Sequence, residues 1–132
     1  MVLYYGVVNV NKNILLEKSI LFAARIIKLQ EYLVKTKKEF TISKQIVRSG
    51  TSIGANISEA NYGQSRADFV AKLYIALKEA AETEYWIMLL AKTDFISASE
   101  SESLLSDCIE LKKLLTASIK SAKNNQNVIS KM

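Results

Sequence analysis

A chain of 132 residues with no proline and only four glycines has little to stop a helix except its own turn chemistry. Apolar repeats are therefore free to run as long helices, and four of them follow one another. The first is expected from near Asn13 to about Lys37, with Leu16, Ile20, Ala23 and Ile27 on one stripe and Leu15, Phe22, Ile26, Leu29 and Leu33 on another. Two stripes imply contact on two sides. Thr41 is a candidate N-cap for the second helix, in which Ile42, Ile46, Ile53 and Ile57 recur before the turn signal Asn61, Tyr62, Gly63. Ser65 followed by Asp68 resembles a capping box for a long third helix reaching about Thr93, and Ser99 with Glu102 offers another for the last. The third helix carries Phe69, Leu73, Ala76, Ala80 and Ile87 on one side and Val70, Leu77, Ala81, Tyr85 and Met88 on the other; the fourth repeats Leu104, Cys108, Leu111, Leu115 and Ile119.

Short polar links between four helical patterns predict an all-α, antiparallel, up-down-up-down four-helix bundle. The domain is expected over residues 13–124, with 1–12 an extension outside it and 125–132 a tail that loses its period and frays. The opening MVLYYGVVNV lacks a basic region and a cleavage site, so it does not read as a signal peptide. A short strand, a docking arm on a neighbouring subunit and an extension from an upstream start all remain open for it. No apolar run is long enough to cross a bilayer, and one unpaired cysteine, Cys108, fits a reducing cytoplasmic setting.

The net charge of +5 is unevenly spread. Residues 1–48 carry nine Lys and Arg against three acids, 66–110 carry four against nine, and 111–132 carry five against none. A folded bundle then has patches of both signs, which suits subunit association, a polyanion, or simply a solvated surface.

The second helix departs from the pattern of an ordinary surface helix. At about 100° per residue, Ile42, Ile46, Gly50, Ile53, Ile57 and Ala60 form the core stripe. One flank stacks Arg48, Ser52, Asn56 and Glu59, and the other carries Val47, Thr51, Gly54 and Ser58. Two glycines and several Ser and Thr cost such a helix roughly 2–3 kcal/mol of propensity. Packing on more than one side must offset that. Arg48 is expected to pair with a carboxylate, Glu79 or Glu82 of the third helix, and the ladder Arg48, Ser52, Asn56, Glu59, Glu79 and Glu82 to serve structure and assembly.

The run Gln45, Arg48, Ser49, Ser52, Ile53, Asn56, Ile57, Glu59, followed by Ser65, Asp68, Phe69, Leu73 and the segment ALKEAAETEYWIMLL, resembles the four helix bundle protein family, whose members include proteins encoded by intervening sequences in bacterial 23S ribosomal RNA genes. The similarity extends from about Asn13 to Lys123. It implies a bundle assembled into a ring-like homopentamer with a central channel and no established enzymatic activity. A relative, the accessory protein of diversity-generating retroelements, binds nucleic acid together with a reverse transcriptase. The resemblance thus implies RNA or DNA and a larger protein machine as partners.

Histidine is absent, which excludes Ser-His-Asp and Cys-His nucleophile systems, His-ligated zinc or haem, Glu-x-x-His di-iron bundles and the histidine signature of HEPN ribonucleases. No Gly-rich phosphate loop precedes a helix, and neither a metal nor a cofactor is expected. Glu79 and Glu82 share a face but lack a second carboxylate pair on another helix. The expectation is a non-enzymatic homo-oligomer that contacts nucleic acid without sequence preference through Lys35, Lys37 and Lys38 at one end and Lys112, Lys113, Lys120 and Lys123 along the last helix. A protein–protein scaffold with no nucleic-acid role is the alternative. No stacking platform of interleaved aromatics is visible.

Overall fold

The last three of four helices begin where a side-chain oxygen takes up orphan backbone amides, and the first three end where the chain turns left-handed or meets a turn. The computed structural model describes residues 6–131, with side chains over 14–124. Four helices follow in order: α1 (Gly6–Lys35), α2 (Ile42–Ala60), α3 (Arg66–Lys92) and α4 (Ala98–Lys131). There is no strand among the described residues.

α1 therefore starts upstream of the expected Asn13 and takes in residues 6–12, while residues 1–5 lie outside the described residues. α4 is likewise helical to Lys131, through most of the tail expected to fray.

The caps differ in instructive ways. Thr41 occupies the N-cap of α2 but its side chain makes no cap bond. The carboxylate of Glu39 takes over, accepting from the amides of Thr41 (3.1 Å), Ile42 (3.0 Å) and Ser43 (2.7 Å). A carboxylate two residues upstream reaches further than a hydroxyl, and its charge suits the positive end of the helix dipole. The Ser65 hydroxyl accepts from the Asp68 amide at 3.1 Å, as the spacing predicts. At α4 the cap is Ser97, which accepts from Glu100, in place of the expected Ser99. α1 and α3 are closed by wrapped turns in which the Glu39 amide donates to Leu33 and the Phe95 amide to Leu90. Lys38 (φ 56°) and Asp94 (φ 64°) supply the left-handed residue that glycine usually provides.

α1 packs on α2, α2 on α3, α3 on α4, and α4 more sparsely back on α1. Antiparallel order follows from the cross-links: Arg25 with Asp107 and Lys18 with Glu110 join α1 to α4, while Arg48 with Glu79 and Glu59 with Lys72 join α2 to α3. The core consists of Leu15, Phe22, Ile26, Leu29 and Leu33 from α1, Ile46, Ile53 and Ile57 from α2, and Leu73, Ile87, Leu104, Leu111 and Leu115 from α3 and α4. Inside it, the Thr83 hydroxyl bonds that of Ser49 at 2.8 Å, so two buried polar groups on adjacent helices satisfy each other.

Two glycines set the α1–α2 distance. A Cβ at Gly50 would stand 2.8 Å from Ile26 Cγ2 and 3.0 Å from its Cγ1; a Cβ at Gly54 would stand 2.8 Å from the Ser19 hydroxyl. Ile26 is fully buried and β-branched and has nowhere to go; Ser19 is equally buried, and its hydroxyl, which donates to the Leu16 carbonyl at 2.6 Å, could yield only by giving up that bond. Gly50→Ala should lower stability by about 1–2 kcal/mol in urea denaturation, because overpacking outweighs the propensity gain. Gly54→Ala should also be destabilising, by about 1 kcal/mol, because the Ser19 hydroxyl must move off the Leu16 carbonyl to make room. Glu39→Ala should cost about 1 kcal/mol through loss of the α2 cap, with the far-ultraviolet spectrum otherwise retained.

Candidate functional site

The polar flank of α2 faces α3, and its side chains find partners within the chain. Arg48 donates to Glu79 at 3.0 Å and also to Glu82, whose carboxylate receives the Trp86 indole N–H at 2.9 Å. The Arg48 hydrogen bond, followed by that of Trp86, holds the Glu82 carboxyl below its ordinary value; the same Glu82 bond raises Arg48. The Trp86 ring meets that of Tyr85 edge-on at 5.1 Å. Lower on the helix the Ser52 hydroxyl and the Asn56 amide turn back to carbonyls of their own helix, at Arg48 (2.7 Å) and Ser52 (2.8 Å). Glu59 receives Lys72 at 2.9 Å. This arrangement clamps α2 to α3. Glu79 and Glu82 share one guanidinium, the Arg48 side chain, as their ion-pair partner.

Cys108 is fully buried, donates to the Ala80 carbonyl at 3.2 Å, and burial pushes its thiol up to about 12. It is a core residue, not a nucleophile. Among the described residues no group of His, Cys, Asp and Glu is placed to hold a metal ion.

The lysines fall into two separate sets. Lys35, Lys37 and Lys38 lie exposed where α1 gives way to α2, at one end of the bundle. Lys120 and Lys123 lie near the opposite end, because α4 runs antiparallel to α1. Between them Lys113 is exposed, while Lys112 is tied to Glu84 at 2.6 Å and is the least available of the group. Lys123 donates to the Tyr74 hydroxyl at 3.0 Å.

Exposed apolar side chains are spread around the bundle, Leu21 (63%) and Ile75 (42%) among them, and two groups of them lie on opposite sides. On α1, Lys18 and Arg25 turn to α4, and the stripe Leu16, Ile20, Ala23, Ile27 falls on the other flank, with Ile20 59% and Ile27 42% exposed. The small flank of α2, namely Val47, Thr51, Gly54 and Ser58, lies toward α1, where Gly54 meets Ser19. On α3, Glu79 and Glu82 turn to α2, while Ala81, Tyr85 (53%) and Met88 (50%) stay open toward the α4 side beside Ile109. One face is therefore an aliphatic shelf backed by small residues. The other bears large aromatic and thioether side chains.

A carboxyl with a depressed folded pKa contributes stability above its unfolded value, and that contribution fades as pH falls through the folded value. For Glu82 the unfolded value is near 4.5, so the loss should come below it. Arg48→Ala should cost about 0.2–1 kcal/mol near neutral pH, the modest figure reflecting a guanidinium that is half exposed. It should also flatten the decline of the urea midpoint from about pH 5 to about pH 3. An unchanged slope would mean that the Arg48 pairing contributes nothing.

Residues 11–117 match the family described as 23S rRNA-intervening sequence protein. None of the curated proteins compared with the chain matches it. Among solved structures, the 1.70 Å crystal structure of a protein with unknown function from the S23 ribosomal protein family of Bacteroides thetaiotaomicron is 55% identical. It aligns over 83% of this chain and 98% of that one with a TM-score of 0.82. On a match that spans most of its length, this chain belongs to the 23S rRNA-intervening sequence protein family.

Proposed function

We propose that the protein is a non-enzymatic, cytoplasmic homo-oligomer that closes into a ring, a pentamer as the family resemblance implies, and contacts RNA or DNA through its lysines without sequence preference. The observation that carries the assembly is the pair of unlike apolar faces on opposite sides of the bundle, Ile20 and Ile27 on one and Tyr85 and Met88 on the other. A two-fold interface needs one self-complementary patch, whereas two different patches on opposite sides suit head-to-tail contact, which ends in a ring when the rotation closes. The half-buried Val47, Thr51 and Ser58 are short side chains, which lets larger side chains of a neighbour approach the α2 backbone. Each added copy repeats the exposed lysines at both ends, so weak contacts accumulate into appreciable avidity. The absence of histidine, the buried Cys108 and the Arg48-bound carboxylates all favour a role without catalysis.

Light scattering should report one species several times the 14.8 kDa chain. Ile20→Glu or Met88→Glu should each reduce it to a monomer with helix content intact. Anisotropy with labelled RNA and DNA at low salt should show binding that weakens steeply as salt rises and that falls on Lys35→Ala, Lys37→Ala, Lys38→Ala replacement. A wild-type monomer would overturn the assembly. An oligomer that binds neither nucleic acid would leave the protein–protein scaffold as the function.

A further inference from the structure

The fold joins Tyr74 of α3 to the C-terminal half of α4, two segments that sequence spacing does not relate. Between them opens a surface cleft of ≈ 480 Å³, in the range of small-ligand sites. Leu77 and Ile119 contribute its apolar lining, and Tyr74, Thr116, Lys120, Lys123 and Asn124 its polar groups. No carboxylate lines it, and α4 carries no acid after Glu110. Lys120 has no ion-pair partner among the described residues, and the partner of Lys123 is a neutral phenol. Two ammonium groups one helical turn apart are thus left uncompensated beside an aromatic ring.

The position of Lys123 decides what the ring can do. Its ammonium is 3.0 Å from the Tyr74 hydroxyl but 5.1 Å from the ring centroid, so it stands off the hydroxyl end rather than over the face. Tyr74 as a residue is 40% exposed. A flat π-system laid on that face meets a stacking surface, and an anion attached to it falls next to Lys120 and Lys123. Thr116 and Asn124 add a hydroxyl and an amide, which can bond sugar or base edges without demanding one base.

We propose that this cleft is a subsite for one unpaired nucleotide of a single-stranded RNA or DNA, with the base stacked on Tyr74 and the phosphate held by Lys120 and Lys123. The inference rests on the nucleic-acid reading above and sharpens it, because a stacked base demands a strand from which bases can be splayed out. Duplex, whose bases are already stacked on each other, reaches the lysines but not the ring.

The test measures anisotropy of labelled oligo(rU), oligo(dT), a duplex of equal length and uridine monophosphate with the full chain at low salt. Tyr74→Ala should weaken both single strands about ten-fold. Duplex binding should change less than two-fold, and Tyr74→Phe, which keeps the ring, should stay within about two-fold of wild type. Lys120→Ala should lower the slope of log affinity against log salt by about one. Tyr62→Ala, which removes a tyrosine 82% exposed outside the cleft, should have no effect. Competition by the monophosphate at concentrations that leave the duplex bound would place a free nucleotide in the same cleft and support it. If the wild type binds no nucleic acid, the function proposed above falls and this subsite with it. If the wild type binds but Tyr74→Ala binds single strands as tightly, or Tyr62→Ala matches its loss, the subsite alone is overturned.

Discussion

The close approach of α1 to α2 at Gly50 governs the rest of the bundle. With no Cβ at that position, Ile26 can press onto the α2 backbone, and the two helices come near enough for Gly54 to meet Ser19 one turn on. Once α2 is seated this way, its core stripe of Ile46, Ile53 and Ile57 faces inward and its opposite flank faces α3. The low helix propensity of a segment with two glycines and several Ser and Thr is offset by packing on both sides. A longer side chain at Gly50 would push α2 outward and disturb the Ser49–Thr83 and Arg48–Glu79 contacts together.

Much of this was legible in the sequence because helical periodicity is local. The core stripes of all four helices follow from spacings of three and four, and Arg48 could be matched with acids on the adjacent pattern because both sit beside core positions. Ser65 with Asp68 is a cap that spacing alone identifies. The other two starts were less legible for a physical reason: Thr41 does occupy the N-cap of α2 but makes no cap bond, and the α4 cap is Ser97 rather than Ser99. Several Ser and Thr near a helix start are chemically equivalent, and only the turn geometry selects Ser97 over Ser99 or lets Glu39 supplant Thr41.

The candidate sites were less legible because they depend on partners distant in the chain. The second stripe of α1 announced a further contact, yet nothing local says that α2 leaves Ile20 and Ile27 uncovered. Tyr74 and Lys123 are separated by 49 positions and appear unrelated until α3 and α4 align antiparallel. Lys112 looked equivalent to its neighbours until Glu84 was found beside it. Charge counted along a chain overstates what a folded surface offers, since part of it is already spent on internal pairs.

The seam between α1 and α4 differs from the other three. Exposed polar contacts span it, Arg25 with Asp107 and Ser103 and Lys18 with Glu110, and a cleft of ≈ 540 Å³ opens above them between Leu29, Tyr32 and Leu104. The three tight seams each join helices adjacent in the chain, so their loops close over short distances, while the fourth joins the two ends. Refolding should therefore run as a zipper along neighbouring helices and latch the first to the last at the end. The same order in reverse makes this seam the place where the native bundle is expected to open most readily, with amides of its facing turns exchanging well below the energy of global unfolding.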